Sequence, residues 1–324
     1  MRELTMKEAI REGIAEEMRR DPHLFMIGED VGPFGGEHGL SKGLWDEFGD
    51  WRMRDAPISE AGILGCALGA ALTGCRAIAE IPFNDFICIA MDQIVNQAAK
   101  MRYMFGGKAC IPLLIRTTCG GYISAAAQHS QCLEAWFCHV PGLMVVMPSN
   151  PIDAKGLVKT CLRIDNPIVF FEHKTLYPNK GPVPDGEVLI PLGKADVKRP
   201  GHSATVVATG MLVVKALAAA RRLSAEGIEI EVIDLRTLVP LDTEMILESV
   251  TKTGRLVVAH EAPERGGFGA EVVATVADKG YHLLKAPIKR VAAENVPIPF
   301  SPVLEQHVLP QVEDIVQAVR EVTG

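Results

Sequence analysis

Pro57-Ile58-Ser59-Glu60-Ala61-Gly62-Ile63-Leu64-Gly65-Cys66-Ala67-Leu68-Gly69 is the segment from which the organisation of this 324-residue chain can be read. A proline, a serine able to cap, and an apolar run interrupted by small residues predict a helix with Glu60 in its first turn. There the partial positive charge of the helix N-terminus favours the ionised carboxylate. Glycines at 62, 65, 69 and 74 imply close packing of that helix. A single acid with no partner acid suits hydrogen bonding to a protonated ring nitrogen better than hydrolysis, which usually needs a second acid, a metal or a nucleophile. The plainer alternative is an ordinary surface helix start.

Outward from this helix, strands and helices alternate. Thr5 and Glu8 form a candidate capping box ahead of a helix with Met6, Ala9, Ile10, Ile14 and Met18 on one stripe. Leu24 to Ile27 reads as a buried strand, Ile78 to Ile81 as the next, Ala90 to Phe105 as a helix and Ile111 to Arg116 as a strand. A strand at Leu143 to Met147 precedes Ser149-Asn150-Pro151, a helix start with proline at the first helical position, and Ile168 to Phe171 closes the series. Apolar strands alternating with helices predict a parallel sheet covered on both faces.

From Tyr177 to Pro200 the chain turns proline-rich and charged, a linker signal. A second alternation follows, with strands at Thr205–Ala208, Glu229–Ile233, Leu256–His260 and Ile288–Val291, and a terminal helix over Gln311–Val322. The expected fold class is α/β, two doubly wound domains, spanning residues 1–177 and 203–324 on either side of a linker at 178–202.

Net charge of −7 gives no electrostatic reason to expect nucleic acid, and the 33 basic residues form no tract. No apolar run reaches membrane-spanning length without a charge or a proline, Arg76 interrupting the longest. Eight cysteines without a Cys-x-x-Cys predict buried reduced thiols rather than zinc or a redox pair. With no signal or transit pattern at Met1–Thr5, a cytoplasmic protein is expected.

Glu60, Gly65 and Gly69 match the Glu-x4-Gly-apolar-x-x-Gly pattern of thiamine-diphosphate enzymes, with Cys66 a weak occupant of the apolar position. Alongside it, in order, stand Gly28-Glu29-Asp30-Val31, Phe83-Asn84-Asp85-Phe86, Asp92-Gln93-Ile94, Gln128-His129-Ser130-Gln131, Pro141-Gly142-Leu143 and Asp234-Leu235-Arg236-Thr237-Leu238. The set closely resembles the beta subunit of the thiamine-diphosphate-dependent dehydrogenase component of 2-oxo acid and acetoin dehydrogenase complexes, a transketolase-like family, from about Leu4 to the C-terminus. The resemblance implies an N-terminal pyrimidine-binding domain and a C-terminal domain for subunit association and docking.

It also implies roles. Glu60 matches the residue that bonds the cofactor's pyrimidine and sets its tautomer, Phe86 the aromatic packed on that ring and Ile58 its apolar neighbour, with Glu29 a further cofactor contact. His129, in a polar stretch after the small residues Ser124 to Ala127, matches a histidine that handles a proton during acyl transfer to lipoamide. Main-chain carbonyls at Leu113, Cys161, Leu162, Ile164 and Asn166 match a potassium site in some members; an ordinary helix C-terminus is the alternative. The Gly-Asp-Gly motif that serves magnesium and diphosphate is absent, Gly49-Asp50 being followed by Trp51. The resemblance supplies that half as an alpha subunit, in an alpha2-beta2 heterotetramer that serves a lipoyl-bearing acyltransferase core.

Residues 102–109, 126–129 and 172–177 resemble acetoin and pyruvate members more than branched-chain ones, which favours a small acyl group. A branched-chain 2-oxo acid dehydrogenase subunit and a catalytically silent assembly subunit are the alternatives. His260-Glu261-Ala262-Pro263 and Gly266-Gly267-Phe268-Gly269-Ala270-Glu271 invite a nucleotide-binding reading, since glycines before a helix make an anion site. They lack the full dinucleotide fingerprint, and docking is the reading adopted.

Overall fold

A computed structural model describes residues 1–324. In chain order the elements begin β1 (Arg2–Thr5), α1 (Met6–Arg20), β2 (Leu24–Gly28), α2 (Leu44–Phe48), β3 (Met53–Asp55), α3 (Glu60–Leu72) and β4 (Arg76–Ile81). A 3-10 turn at Phe86–Ala90 and a π-helical stretch at Asp92–Ala98 lead into α4 (Ala99–Met104). Then come β5 (Leu113–Cys119), α5 (Glu134–Cys138), β6 (Met144–Val146), α6 (Pro151–Cys161), β7 (Ile168–His173) and β8 (Lys180–Val183). The remainder is β9 (Asp196–Arg199), β10 (Ala204–Ala208), α7 (Met211–Ser224), β11 (Ile230–Asp234), β12 (Thr237–Val239), α8 (Thr243–Thr253), β13 (Leu256–Pro263), α9 (Gly269–Gly280), β14 (Lys289–Ala293), α10 (Pro302–Val308) and α11 (Val312–Thr323).

The chain divides into two compact units, the first comprising Met1–Cys119, Trp136–Val146 and Asn150–Leu192, the second Gly120–Ala135, Met147–Ser149 and Gly193–Gly324. In the first, parallel strands run in the order β6-β7-β5-β4-β2-β3. All seven residues of β5 and all six of β7 are buried, which is why these strands read as near-continuous apolar runs. The capping box at the start of α1 is present in both directions: the Thr5 side chain accepts from the Glu8 N–H, and the Glu8 carboxylate accepts from the Thr5 N–H. Such a cap is worth about 1 kcal/mol. At α6 the Asn150 side chain caps in one direction, accepting from the Asp153 N–H at 3.0 Å, with Pro151 at the first turn.

The second unit has the order β14-β13-β10-β11-β9, parallel except for the edge strand β9. Its core joins Val206, Val232 and Val257 of the sheet to Leu212 and Ala216 of α7 and to Ile315 and Val319 of α11.

Three expectations need adjusting. The stretch 178–202 is not bare linker, since β8 pairs antiparallel with β1 and β9 with β11. β1 and β8 form a two-stranded sheet of their own and β9 is an edge strand, and in such positions a proline such as Pro182 is tolerated. The loop Gly120–Ala135 groups with the second unit rather than with residues 1–177. Finally, the thiols are free but not uniformly buried: Cys66, Cys88 and Cys110 are exposed.

Candidate functional site

Glu29, Ile58, Glu60 and Phe86 all follow the C-terminal ends of parallel strands, after β2, β3 and β4. The chain moves from β2 outward to β3 and then crosses to β4 on the other side of β2, so the strand order reverses between β2 and β4. In open α/β sheets such a switch point leaves a crevice at the carboxyl ends, where ligands bind. All four follow strands that end on that side of the sheet, and the charges of Glu29 and Glu60 interact there.

Glu60 is the first residue of α3 and only 7% exposed. No hydrogen bond or ion pair within the chain engages its carboxylate. Ser59, expected to cap the helix, does not: its Oγ donates to the Pro57 carbonyl at 3.3 Å, and the first-turn N–H groups receive no side-chain acceptor. Burial raises the Glu29 carboxyl above its usual range, and the charges of Asp30 and Glu60 add to the shift. Two acids thus share one crevice. An unpartnered carboxylate at low exposure is costly unless a donor arrives from elsewhere.

Phe86 is half-buried and meets Phe83 edge-on, ring centroids 6.0 Å apart. Ile58 is 73% exposed, too open to be a core residue of this chain alone. The glycine face of α3 is likewise open. Gly62, Gly65, Cys66 and Gly69 are exposed, and a Cβ built on Gly65 or Gly69 meets nothing within 4 Å. The close packing expected for these glycines is therefore not made inside the chain. Ile89, Tyr103, Met104 and Phe105 are further exposed apolar side chains of the first unit.

His129 belongs to the second unit, in an irregular loop as expected, with its N–H donating to the Ala126 carbonyl at 3.4 Å. Of the residues matched to a potassium site, the Ile164 carbonyl already accepts from Arg76 Nη1 at 2.7 Å and the Cys161 carbonyl from the Ile164 N–H at 3.3 Å. The Asn166 side-chain oxygen accepts from Arg102 at 3.2 Å. Leu113 and Leu162 are buried at the start of β5 and the end of α6.

One buried network escaped the sequence reading. Arg116 on β5 donates to both oxygens of Glu172 on β7, at 2.7 and 2.8 Å, and also to Glu80 on β4, while the Tyr177 hydroxyl donates to Glu172 at 2.6 Å. It crosses three adjacent strands near their carboxyl ends. Charges inside otherwise apolar strands were the available signal.

Two family models cover this architecture: "Transketolase, pyrimidine binding domain" over residues 2–180 and "Transketolase, C-terminal domain" over 193–315. The chain belongs to this transketolase-like family, in the branch formed by the beta subunits of acetoin and 2-oxo acid dehydrogenases. It is 49% identical over 335 residues to "Acetoin:2,6-dichlorophenolindophenol oxidoreductase subunit beta" of Bacillus subtilis (strain 168), covering 100% of this chain and 98% of that protein. It is 43% identical to "Pyruvate dehydrogenase E1 component subunit beta" of Rhizobium meliloti (99% of this chain, 70% of that protein). A like figure, 43%, holds for "2-oxoisovalerate dehydrogenase subunit beta" of Bacillus subtilis (97% of each). A solved structure titled "Split gene transketolase, inactive beta4 tetramer" shares the fold, with a TM-score of 0.80 at 24% identity over 99% of this chain and 98% of that one.

Proposed function

We propose that this chain supplies the pyrimidine side of a thiamine diphosphate site in a heteromeric oxidoreductase. The enzyme would break the carbon–carbon bond beside a ketone carbonyl, in acetoin or a small 2-oxo acid such as pyruvate, and pass the acyl fragment to lipoamide on an acyltransferase core. The observation that carries the reading is Glu60, a nearly buried carboxylate without a partner at the switch point of the sheet. Thiamine diphosphate, when bound, supplies the nucleophilic carbon and electron sink that no side chain offers.

The residues fit the pyrimidine half of that group. Glu60 would accept a hydrogen bond from a ring nitrogen and hold the proton there, Phe86 would cover the ring face, Ile58 would keep water from its edge, and Glu29 would contribute a second acid. His129 would give or take a proton at the acyl group as it moves to lipoamide. Nothing in the sequence supplies a Gly-Asp-Gly, so an alpha subunit would hold magnesium and diphosphate in an alpha2-beta2 assembly. The open glycine face of α3, with Ile58 beside it, is the surface that such a partner would close. Potassium would be held by the main-chain carbonyls of Leu113, Cys161, Leu162, Ile164 and Asn166, as the resemblance implies. The compartment is the reducing cytoplasm, which suits eight free thiols.

The small acyl group is supported by identities of 49% and 47% to acetoin-enzyme beta subunits, against 43% for the 2-oxoisovalerate enzyme. Calorimetric titration of the chain with thiamine diphosphate and magnesium, alone and with its alpha partner, tests the split site. Tight binding is expected only with the partner. Micromolar affinity by the chain alone, roughly 8 kcal/mol of binding free energy, would overturn it. Turnover of the pair on acetoin, pyruvate and 3-methyl-2-oxobutanoate ranks the substrates, the last being expected slowest.

A further inference from the structure

Tyr122, Ser124 and Ala126 have φ of 67°, 56° and 62°, three left-handed non-glycine residues within the run that leads to His129. Side chains rarely adopt that region, and such residues persist only where the surroundings hold them. The hold here comes from two buried carboxylates. The Gly121 N–H donates to Glu261 Oε1 at 2.6 Å, and the Ser124 N–H donates to Glu305 Oε2 at 2.9 Å. Glu261 is 4% exposed and Glu305 2%.

Further contacts tie the same segment down. The Tyr122 hydroxyl donates to the Pro310 carbonyl at 2.9 Å, and Lys215 Nζ sits 3.7 Å over the Tyr122 ring while donating to that carbonyl at 2.6 Å. The Gly120 N–H donates to the Gln131 carbonyl at 3.0 Å and closes the loop at its base. A Cβ on Gly121 would stand closer than 3.0 Å to the end of the Leu309 side chain, so a larger residue there would have to displace it. Beyond the loop lies a cleft of about 370 Å³ walled by Ala127, Ser130 and Gln131 on one side and by Glu261, Asn295 and Ile298 on the other. On that side packing does not restrain the loop.

We propose that Glu261 and Glu305 are positioning residues for His129, holding the Gly121–Ala126 backbone in the conformation that presents its imidazole. The inference rests on the reading of His129 as the group that handles a proton in acyl transfer. Carboxylates suit the task because hydrogen bonds from backbone N–H groups to a charged acceptor are about twice as strong as neutral ones.

The test uses the complex reconstituted with its alpha partner, with two readouts: hydrogen exchange of the 120–131 segment and single-turnover acylation of a lipoyl domain. Glu305→Ala and Glu261→Ala should each raise exchange in that segment by about tenfold or more. Each should also lower the acylation rate on the order of 30-fold, with KM for the carbonyl substrate and cofactor affinity unchanged. Glu305→Gln, which still offers an oxygen to the Ser124 N–H, should stay within about threefold of the parent in both readouts. Unchanged exchange in both alanine variants would overturn the clamp, and raised exchange with an unaltered acylation rate would overturn the positioning role. Should the alanine variants not fold, the double Gln variant must still raise exchange by about twofold, and equal exchange counts against the proposal. His129→Ala is the reference. If it acylates normally, the reading of His129 fails and the positioning role with it, while the exchange data still report whether the carboxylates hold the loop.

Discussion

Two glycine-rich helix starts in this chain look alike as sequence and face opposite ways. At α3 the glycines open outward, with nothing within 4 Å of a Cβ at Gly65 or Gly69. At α9 they open inward: a Cβ on Gly267 or Gly269 would stand closer than 3.0 Å to ring atoms of His260. Gly267 and Gly269 make room for a buried imidazole, which accounts for these two positions without any nucleotide. The first set, at Gly65 and Gly69, meets nothing within the chain. What a glycine faces, rather than its spacing, separates a packing device from an open binding surface.

The comparison is broken most severely at Glu60. Glu60→Gln keeps the side-chain volume and removes the unpartnered charge, so the isolated chain should be no less stable in urea than the parent. Turnover of the reconstituted complex should fall about a hundredfold or more, the scale of one proton-handling group. Full turnover with the amide in place would detach the carboxylate from the chemistry and leave α3 an ordinary helix start.

The inward-facing set is tested by pH. Burial, with the Arg290 guanidinium nearby, pushes His260 down to about 4 from 6.5. An unfolded histidine takes up its proton as pH falls through 6.5 and the folded one only near 4, so the unfolded state binds more protons in between. Stability is therefore lost as pH falls across that window, by about 3 kcal/mol at most. Glu134 has the opposite sign: burial raises it to about 7 from 4.5, so the folded state holds a proton that the unfolded state releases, and stability is lost as pH rises from 4.5 to 7. The two slopes oppose each other from about pH 4.5 to 6.5. His260→Asn removes only one of them, so relative to the parent its stability should decline more steeply with rising pH, in urea melts at several pH values. Parallel curves would mean that His260 is not held neutral beneath the glycines.

Local signals were legible. The Thr5–Glu8 box, the Asn150–Pro151 start and the apolar strands each depend on neighbours a few residues away, and the structure places them close to where the sequence puts them. The helix start at Glu60 was legible for the same reason, its proline, serine and apolar run lying within one short segment. What could not be read depends on long separations. Arg116 finds Glu80 and Glu172 at 36 and 56 residues' distance, and the Gly121 and Ser124 N–H groups find Glu261 and Glu305 at 140 and 181. The edge strands β1, β8 and β9 are short and half-exposed and carry no apolar run to announce them.

The smallest effects make the sharpest contrast, because one added methyl group should act with opposite sign at the two helix starts. Gly269→Ala drives its Cβ into the His260 ring, and overpacking of a closed interior should cost about 1–3 kcal/mol in urea unfolding of the isolated chain. Gly65→Ala meets nothing, lies at an ordinary helical φ, and should stabilise the isolated chain by about 0.5–1 kcal/mol through helix propensity alone. In the complex the order reverses. If the α3 face is where the alpha subunit sits, Gly65→Ala should reduce the fraction of assembled complex measured by sedimentation, whereas Gly269→Ala should assemble normally at temperatures where it stays folded. Gly65→Ala chains that assemble and turn over like the parent would show that the open glycines face solvent in the working enzyme, and the surface closing the Glu60 site would then have to be sought on another element.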